Sequence, residues 1–375
     1  IQKGATVGVF QIESRAQMSM LPRLKPKKYY DLVVQIAIVR PGPIQGDMVH
    51  PYLRRRDGKE QVEYPSPEVE KVLKRTMGVP IFQEQVIQLA MVAAGFSGGE
   101  ADGLRRAMAS WKKNGDLFKF KQKLTDGMTE RGYSHDYAMR LFEQICGFGE
   151  YGFPESHSAS FAVLAYVSAW LKHYYPEAFY VGLLNSLPMG FYSPSQIIQD
   201  AKHHHVKVLG FCVNQSDSDH SLQVSNEAES SCSSQAQYKH QPSTNLCIRM
   251  GLRLIKGLKS DSIATIIKYR PPDGYANIDQ VRQLGLPSPC LQALASANAF
   301  ATMANNRYQA RWELMDSVME LPLFAQHSQT DDTYAKQPSL FDDLVEDYAS
   351  TGLSIDLHPI ALLNDANLLP KFHLA

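Results

Sequence analysis

The sequence predicts a mostly α-helical chain of more than one domain, with a small α+β element after residue 197. Three observations lead to this fold class. Residues 8 to about 187 carry apolar side chains at the three- and four-residue spacing of amphipathic helices. Beyond residue 205, short strand-like segments alternate with short helices and glycine loops. Finally, 375 residues are more than one compact core usually holds, so two or three domains are expected.

The helices of the first half are defined by their apolar spacing and by the residues that end them. A short apolar run at 31–39 stops at Arg40-Pro41-Gly42-Pro43, a rigid turn that cannot continue a helix. The longer helices are predicted at residues 83–94, 100–111, 135–145 and 158–174. The last of these is apolar nearly all round, which predicts that it is buried, and Ser156 or Ser158 is the predicted cap at its start.

The pattern changes to shorter elements after residue 197. A helix is predicted at 197–205 and strands at 206–213 and 246–254. Between the strands, residues 223–245 are rich in serine and have almost no apolar side chains, which predicts a flexible insertion.

Two glycine loops, Lys256-Gly257-Leu258 and Leu284-Gly285-Leu286, each lead into a predicted helix. A short glycine loop between two helices is the form of a helix-hairpin-helix, whose backbone amides can bind DNA phosphates without reading sequence. Lys256, Gly257 and Gly285 are therefore candidate DNA contacts. The alternative is that the two helix pairs only build a small helical domain.

From residue 313 onward the chain is acidic, with ten Asp and Glu up to Asp356 against the single basic residue Lys336. Polar residues predominate at 326–336. This composition predicts a flexible C-terminal arm, residues 313–375, that contributes nothing to a core.

Composition excludes several classes of protein. The longest uncharged apolar run, residues 161–171, is far short of the roughly 20 residues that span a bilayer, and no secretory signal is present. Five cysteines without a C-x-x-C pair do not indicate a disulfide framework or a structural zinc site. His203, His204 and His205 point in different directions on a helix, so no metal site is expected. A cytoplasmic protein without membrane contact is favoured.

Charge is distributed unevenly although the net charge is zero. Residues 1–181 hold 24 Lys and Arg against 19 Asp and Glu, and the remainder is correspondingly acidic. The bases of the first half form four clusters: Arg23-Lys25-Lys27-Lys28, Arg54-Arg55-Arg56-Lys59, Arg105-Arg106 with Lys112-Lys113, and Lys119-Lys121-Lys123. Clustered bases favour a polyanionic partner, with solvated helix faces as the alternative.

Two stretches have the residue types of a chemical site. Arg105, Arg106, Lys112 and Lys113 place four cations along two helical turns after a Gly-Gly pair, which suits a triphosphate. In the second stretch, a glycine loop delivers Ser156-His157-Ser158 to the start of a helix, whose N-terminus favours anions. A capped core helix is the alternative there. Neighbouring Ser and His cannot adopt the geometry of a catalytic triad.

Several motifs, in order, resemble the finger region of bacterial C-family DNA polymerases, the DNA polymerase III alpha-subunit type. They are Gly8-Val9-Phe10-Gln11-Ile12-Glu13-Ser14-Arg15, Val39-Arg40-Pro41-Gly42-Pro43, Phe82-Gln83-Glu84-Gln85-Val86, Leu104-Arg105-Arg106-Ala107-Met108 and Gly152-Phe153-Pro154-Glu155-Ser156-His157-Ser158-Ala159. Four further stretches resemble the error-prone, damage-induced branch: His50 to Glu60, Ala109 to Lys113, Pro188 to Pro194, and Thr351-Gly352-Leu353-Ser354 with His358-Pro359.

The resemblance implies DNA-templated addition of deoxynucleoside triphosphates to a primer 3′ end, in DNA damage tolerance. It implies two Mg²⁺ ions held by palm aspartates that lie upstream of the fingers, and no aspartate of this chain matches them. With Ile1 in place of an initiator Met, the chain is therefore expected to be a C-terminal fragment without catalytic residues or metal ligands. Arg105 and Arg106 are the first candidates for contact with the nucleotide. Arg40, Lys112, Lys113 and His157 are second-rank candidates.

The same resemblance divides the chain into a polymerase finger region (1–187), a helix-hairpin-helix region with its Ser-rich insertion (188–312) and the acidic arm (313–375). Primer–template DNA and damage-response accessory proteins are the implied partners. Two alternatives stay open: a non-catalytic DNA-binding or scaffold remnant, and the replicative paralogue.

Within the arm, Gln337-Pro338-Ser339-Leu340-Phe341 resembles the peptide by which bacterial polymerases dock on the sliding clamp. Leu340 and Phe341 would enter an apolar groove, with Gln337 beside them, while the arm supplies reach. The sequence thus predicts a clamp contact through Gln337, Leu340 and Phe341.

Overall fold

A computed structural model describes residues 1–39, 46–114, 117–148, 153–189, 192–224, 246–315, 337–366 and 368. For 46–48, 108–114, 117–119 and 145–148 it describes the backbone alone. The chain forms two compact units, Ile1–Trp170 and Leu171–Ala375. Helices dominate both, and the strands of the described residues form one small sheet, which confirms the mostly α fold class.

The first unit is built from helices packed around a core in which Phe82, Leu89 and Leu104 are fully buried. Its helices are α1 (Arg15–Leu24), α2 (Tyr29–Ile38), α3 (Gly46–Arg56), α4 (Pro67–Leu73), α5 (Gln83–Ala94), α6 (Gly98–Asn114), α7 (Leu117–Glu130), α8 (His135–Phe148) and α9 (Glu155–Tyr174), the last of which runs on into the second unit.

Helix α5 has the predicted bounds, because its apolar residues are buried and Gly95 adopts the left-handed backbone that ends it (φ 71°). Where α5 meets α7, a Cβ on Gly127 would lie 2.2 Å from the carbonyl oxygen of Ala94. Only glycine allows this approach, so Gly127 fixes how closely the two helices pack.

The prediction that the last helix of the first half is buried is wrong. In α9 the small residues Ala162 and Ala165 are fully buried against the core, whereas Val163, Tyr166 and Val167 are about half exposed, at 50%, 53% and 47%. A helix with alanines along one stripe approaches its neighbours closely on that side alone, and its larger side chains then face outward.

The second unit carries the sheet and the remaining helices. Its elements are α10 (Pro176–Asn185), α11 (Pro194–His203), β1 (Val208–Leu209), β2 (Ser221–Val224), β3 (Leu246–Arg249), a 3-10 turn (Leu252–Leu254), α12 (Ser260–Lys268), α13 (Ile278–Arg282), α14 (Ser288–Ser296), α15 (Arg307–Met315), α16 (Leu340–Ser350) and α17 (Pro359–Asp365). Strand β3 lies between the others, parallel to β1 and antiparallel to β2, with Ile248 opposite both Val208 and Leu222.

Both predicted strands are present but shorter than expected, and β2 is an addition that the sequence analysis missed. Its residues Gln223 and Val224 were assigned to the Ser-rich insertion, the rest of which (225–245) lies outside the described residues. A four-residue strand with every second side chain exposed gives too little apolar pattern to recognise.

Buried His220 anchors the chain where the 3-10 turn begins. The backbone N–H of Gly251 donates to His220 Nδ1 over 3.0 Å. The side chain of Asn185 binds the backbone of His220 twice, since its Nδ2 donates to the carbonyl oxygen and its Oδ1 accepts from the N–H. Burial lowers the pKa of His220 to about 4, so the ring is neutral and can accept at Nδ1. The turn that precedes the first glycine loop is thereby held in place.

The expectation that the acidic segment contributes nothing to a core is wrong for its described part. Leu353 and Ile355 are buried in the core of the second unit. Helix α16 is held by ion pairs from α15, with Arg307 at 2.8 Å from both Asp343 and Asp347. The acidic residues are therefore partners of buried arginines rather than signs of a solvated linker. Residues 316–336 lie outside the described residues.

Candidate nucleotide and nucleic-acid sites

Helix α6 places Arg105 and Arg106 on the side away from the core. Leu104 and Ala107 are buried, at 1% and 7% exposure, which turns the residues between them outward. The backbone N–H of Ser97 donates to the carboxylate of Glu100, and the backbone N–H of Glu100 donates to the hydroxyl of Ser97. This reciprocal pair fixes the start of the helix.

Asp102 brings the two arginines together. Its Oδ1 accepts from Arg105 Nε over 2.9 Å, and its Oδ2 lies 3.2 Å from an Nη of Arg106. One carboxylate therefore orients two guanidinium groups. The sequence analysis did not assign this role to Asp102. The three- and four-residue spacings on one helix were the available signal.

The guanidinium group of Arg105 has donors that Asp102 does not use. Its contact with Asp102 uses Nε, and its two Nη groups have no partner among the residues that the structure describes. The side chain is partly exposed, at 39%. A guanidinium held at one edge presents the other edge to a planar or tetrahedral anion.

His157 lies on a different helix, near the start of α9. Its exposed ring packs between Phe153 and Phe161, tilted by 44° and 49° to their rings, at centroid distances of 5.1 and 4.0 Å. The backbone here is tied to α5, since Gln83 N donates to Phe153 O over 3.2 Å and Glu155 N donates to a carboxylate oxygen of Glu84 over 2.9 Å.

Glu155 ties the same segment to the rest of the first unit. It accepts from the hydroxyl of Tyr30 over 2.7 Å and pairs with Arg75 over 2.9 Å. Because α9 begins at Glu155, Ser156 and Ser158 lie inside its first turn, so the prediction that either caps the helix is wrong. The Ser158 hydroxyl is buried, and no partner for it occurs among the described residues.

Three other nucleotide candidates are not located by the structure. Arg40 lies outside the described residues, and for Lys112 and Lys113 only the helical backbone is described. Among the candidates whose side chains are described, the geometry therefore brings together Arg105 and Arg106.

In the second unit, both glycine loops have the backbone that only glycine adopts easily. Gly257 has φ +83° and Gly285 has φ +69°, and both are exposed. The helices that follow, α12 and α14, begin without a side-chain hydrogen bond to their first amides. By contrast, Ser193, Asn277 and Ser339 cap α11, α13 and α16 with side-chain oxygens. Uncapped amides beside an exposed loop are suited to a phosphate oxygen.

Lys256 is engaged inside the second unit. Its Nζ donates to the carbonyl oxygens of Tyr348 and Ala349 over 3.1 and 3.2 Å, and its backbone N–H donates to Ser350 O over 2.8 Å. The ammonium therefore lies at the C-terminal end of α16, where the helix dipole favours a cation. DNA contact by Lys256 stays a prediction.

The segment from Gln337 to Phe341 is exposed and leads into α16. The Ser339 hydroxyl accepts from Asp342 N over 3.2 Å, which makes Ser339 the N-cap. Leu340 and Phe341 follow in the first turn with 60% and 64% of their surface exposed. Two adjacent large apolar side chains are thus presented on a short helix.

The described ranges show neither of two further features, a metal-binding cluster or a membrane-spanning helix. They contain no group of three or more His, Cys, Asp or Glu side chains placed to hold a metal ion. Nor does any helix in them combine the length and the apolar character needed to cross a membrane.

Two family models match the chain. Residues 1–132 match the finger domain of the bacterial DNA polymerase III alpha subunit, and residues 205–310 match the helix-hairpin-helix motif. The error-prone DNA polymerase of Vibrio campbellii is 62% identical over 372 residues, which cover 99% of this chain and 35% of that protein.

Two more distant relatives carry the same name. The error-prone DNA polymerase of Idiomarina loihiensis is 55% identical over 97% of this chain, and that of Hahella chejuensis is 50% identical over 99% of it. These alignments cover 34% and 35% of the two relatives. The chain thus spans about 35% of the length of the curated relatives it matches.

Proposed function

Because this chain belongs to the bacterial C-family DNA polymerases, we propose that it forms the nucleotide-handling and DNA-binding part of an error-prone DNA-directed DNA polymerase. The reaction is templated transfer of a deoxynucleotide to a primer 3′ end, in the copying of damaged DNA. One observation carries the proposal: Asp102 orients Arg105 by one edge and leaves its Nη groups open to an anion.

The incoming triphosphate is the anion that this arrangement suits. Asp102 holds Arg105 and Arg106 side by side, and a guanidinium fork such as that of Arg105 can bond two phosphate oxygens at once. Arg40, Lys112, Lys113 and His157 belong to the same proposed pocket as second contacts. Their role is to neutralise and orient the triphosphate, without forming bonds to the reacting atoms.

The Mg²⁺ ions of the family do not fit the residues described here. No carboxylate cluster among the described side chains could hold them. The ions belong to the palm aspartates that the family resemblance places in another part of the polymerase. No metal-binding residue is therefore assigned within the described ranges, and no chemical step is assigned to this chain.

Primer–template DNA is the proposed partner of the second unit. Its phosphates would accept hydrogen bonds from the uncapped first amides of α12, beside Gly257, and from the N–H of Ser288 at the start of α14, near Gly285. Such contacts hold the duplex without reading its sequence, as a polymerase requires. The domain assignment 1–187, 188–312 and 313–375 is proposed on the same basis, as are a cytoplasmic location and damage-response accessory proteins.

We expect the purified chain to bind a labelled primer–template, with an affinity that falls steeply between about 50 and 200 mM salt. Fluorescence anisotropy measures this. Lys259→Glu at the N-cap of α12 should weaken binding, because it adds a negative charge beside the proposed phosphate site.

Lys268→Glu, at the other end of α12, makes the same charge change away from the loop and is the matched control. Equal losses in the two variants would count against a phosphate site at this loop. An absence of binding by a folded wild-type chain would count against DNA binding by this part of the polymerase.

The sliding clamp is a further proposed partner, through Gln337, Leu340 and Phe341. Replacing Leu340 and Phe341 by alanine removes two exposed apolar side chains and nothing buried, so the fold should be unaffected. Clamp affinity should fall at least tenfold, since each anchor contributes roughly 1.5–3 kcal/mol on burial. Surface plasmon resonance with immobilised clamp measures it.

Ile360, on α17, is another exposed apolar residue of the described C-terminal part, residues 337–366. Ile360→Ala is therefore the control and should bind the clamp as the wild type does. A double variant that also binds as the wild type does would refute the clamp contact.

A further inference from the structure

The first unit has a second cationic site, distinct from the arginines of α6. A concavity of about 350 Å³ lies between the C-terminal ends of α1 and α3 and the loop after α3. Its polar lining consists of Arg23, Lys25, His50, Arg54, Asp57 and Lys59. Four permanent positive charges and a histidine thus surround one carboxylate.

Two basic clusters of the sequence meet here, but not all their members take part. Arg56 points inward, donating to Asp31 over 2.7 Å and to the carbonyl oxygen of Leu24 over 2.9 Å. Arg55 is held by Glu60 and by Met77 O. These two arginines join elements of the first unit. The members of the two clusters that line the concavity are Arg23, Lys25, Arg54 and Lys59.

The charges that remain are incompletely neutralised. Lys59 lies 3.2 Å from Asp57, and Arg54 shares Glu60 with Arg55. Arg23 and Lys25 have no carboxylate within 4.0 Å anywhere in the described ranges. The excess positive charge therefore has no internal partner.

Helix termini do not explain these bases. Cations often gather at C-terminal ends to satisfy the last carbonyl groups. Here the carbonyl oxygen of Leu21 already accepts from Lys25 N over 2.8 Å, and those of Leu53 and Arg54 accept from Asp57 N and Lys59 N over 2.9 and 2.8 Å. The side chains of Arg23 and Lys25 are thus left for an external anion, and Lys59, paired with Asp57, lies beside them in the lining.

We propose that this concavity binds phosphate groups of a nucleic-acid strand. The remaining lining residues are Pro22 and Leu53, so no Phe, Tyr or Trp is present on which a base could stack. Lysine and arginine without an aromatic platform suit the phosphodiester backbone and not the bases. The site would guide a strand without sequence preference. It rests on the proposed polymerase function for the identity of the strand, but on its own geometry for the anion.

The test compares two double variants of the full 375-residue chain. Arg23→Gln with Lys59→Gln removes two exposed cations of the concavity. Lys71→Gln with Lys74→Gln removes two exposed cations, one in the last turn of α4 and one at its C-cap, and is the matched control, called the α4 variant below. Circular dichroism and thermal unfolding establish that both variants fold as the wild type does.

Binding of a labelled single-stranded oligonucleotide is followed by anisotropy over a salt series. The concavity variant should bind about tenfold more weakly, and its log–log salt slope should fall by about 1.4, since each lost phosphate contact removes about 0.7 for a single strand. The α4 variant should keep the wild-type slope. Equal behaviour of the two variants would overturn the proposal.

Inorganic pyrophosphate, titrated calorimetrically, separates a strand from a free phosphate ligand. If the concavity variant loses pyrophosphate binding but binds the oligonucleotide as the wild type does, the strand assignment is overturned and a free polyphosphate is the ligand. Loss in both arms supports the proposal. Neither arm involves Arg105 or the α12 loop, so failure here is distinguishable from failure of the polymerase function.

Discussion

Replacing Asp31 by alanine is expected to lower the free energy of unfolding of the first unit by about 3 kcal/mol, because it leaves the part-buried guanidinium of Arg56 without its carboxylate partner. Asp31 lies at the start of α2 and is 9% exposed. Its carboxylate accepts from Arg56 over 2.7 Å, and from the backbone amides of Lys27 and Lys28 over 2.7 and 3.0 Å. The substitution thus removes an ion pair and a helix cap together.

Acid provides a second test of the same group. Burial opposes the charge, but the hydrogen bonds from Arg56, Lys27 and Lys28 outweigh it and lower the pKa of Asp31 to about 2. Because the unfolded chain binds the proton near pH 3.8, the stabilisation is complete above that pH and is lost as the pH falls towards 2. The difference between wild type and variant should shrink over this window.

Urea unfolding at neutral pH measures the effect, with Asp31→Asn expected to be intermediate because an amide oxygen can still accept the two backbone bonds. Glu70→Gln breaks an exposed pair between Glu70 and Lys74 and should cost no more than about 0.5 kcal/mol. If Asp31→Ala costs as little as this control, the Asp31–Arg56 pair does not hold α2 to α3.

Sequence patterns predicted the mostly α class and the bounds of α5, because a period in apolar residues directly reports a buried helix face. The same reasoning failed for α9, where hydrophobicity all round concealed the stripe of alanines that decides which side is buried. It failed also for α16, since acidic residues predict solvent exposure unless their basic partners are known. Arg307 and Arg311 are distant in sequence, and only the fold brings them to Asp343, Asp347 and Glu346.

The basic clusters show a further limit of sequence reasoning. Arg54, Arg55 and Arg56 are identical in type and adjacent, yet Arg56 is part-buried against Asp31 while Arg54 lines a surface concavity. Adjacent helical residues point about 100° apart, so a cluster in sequence is not a cluster in space. Asp102, by contrast, lies three and four residues before Arg105 and Arg106, a spacing that is visible in the sequence of one helix.

The second large effect concerns Arg105 in the full-length polymerase. Arg105→Ala is expected to lower kcat/KM for the incoming deoxynucleotide by about 10- to 100-fold, because a hydrogen bond to a charged group contributes roughly 1.5–3 kcal/mol. Its side chain is partly exposed, so the fold should not change. Arg105→Lys should fall between wild type and alanine, since it keeps the charge but not the fork.

Arg140 offers a matched control. It is an exposed arginine on α8 in the same unit, and Arg140→Ala makes the same change in charge and size. Its kinetic constants should equal those of the wild type. If only the general loss of positive charge mattered, kcat/KM would fall equally in both variants. If Arg105 makes a specific contact, kcat/KM falls in Arg105→Ala alone.

Steady-state primer extension by the full-length enzyme, with wild type, Arg105→Ala and Arg140→Ala compared over a range of nucleotide concentrations, tests the central claim most directly. The arrangement around Asp102 predicts a kcat/KM at least about tenfold lower for Arg105→Ala, with Arg140→Ala unchanged. Equal kinetics in all three enzymes would contradict it, and would remove the arginines of α6 from the nucleotide site.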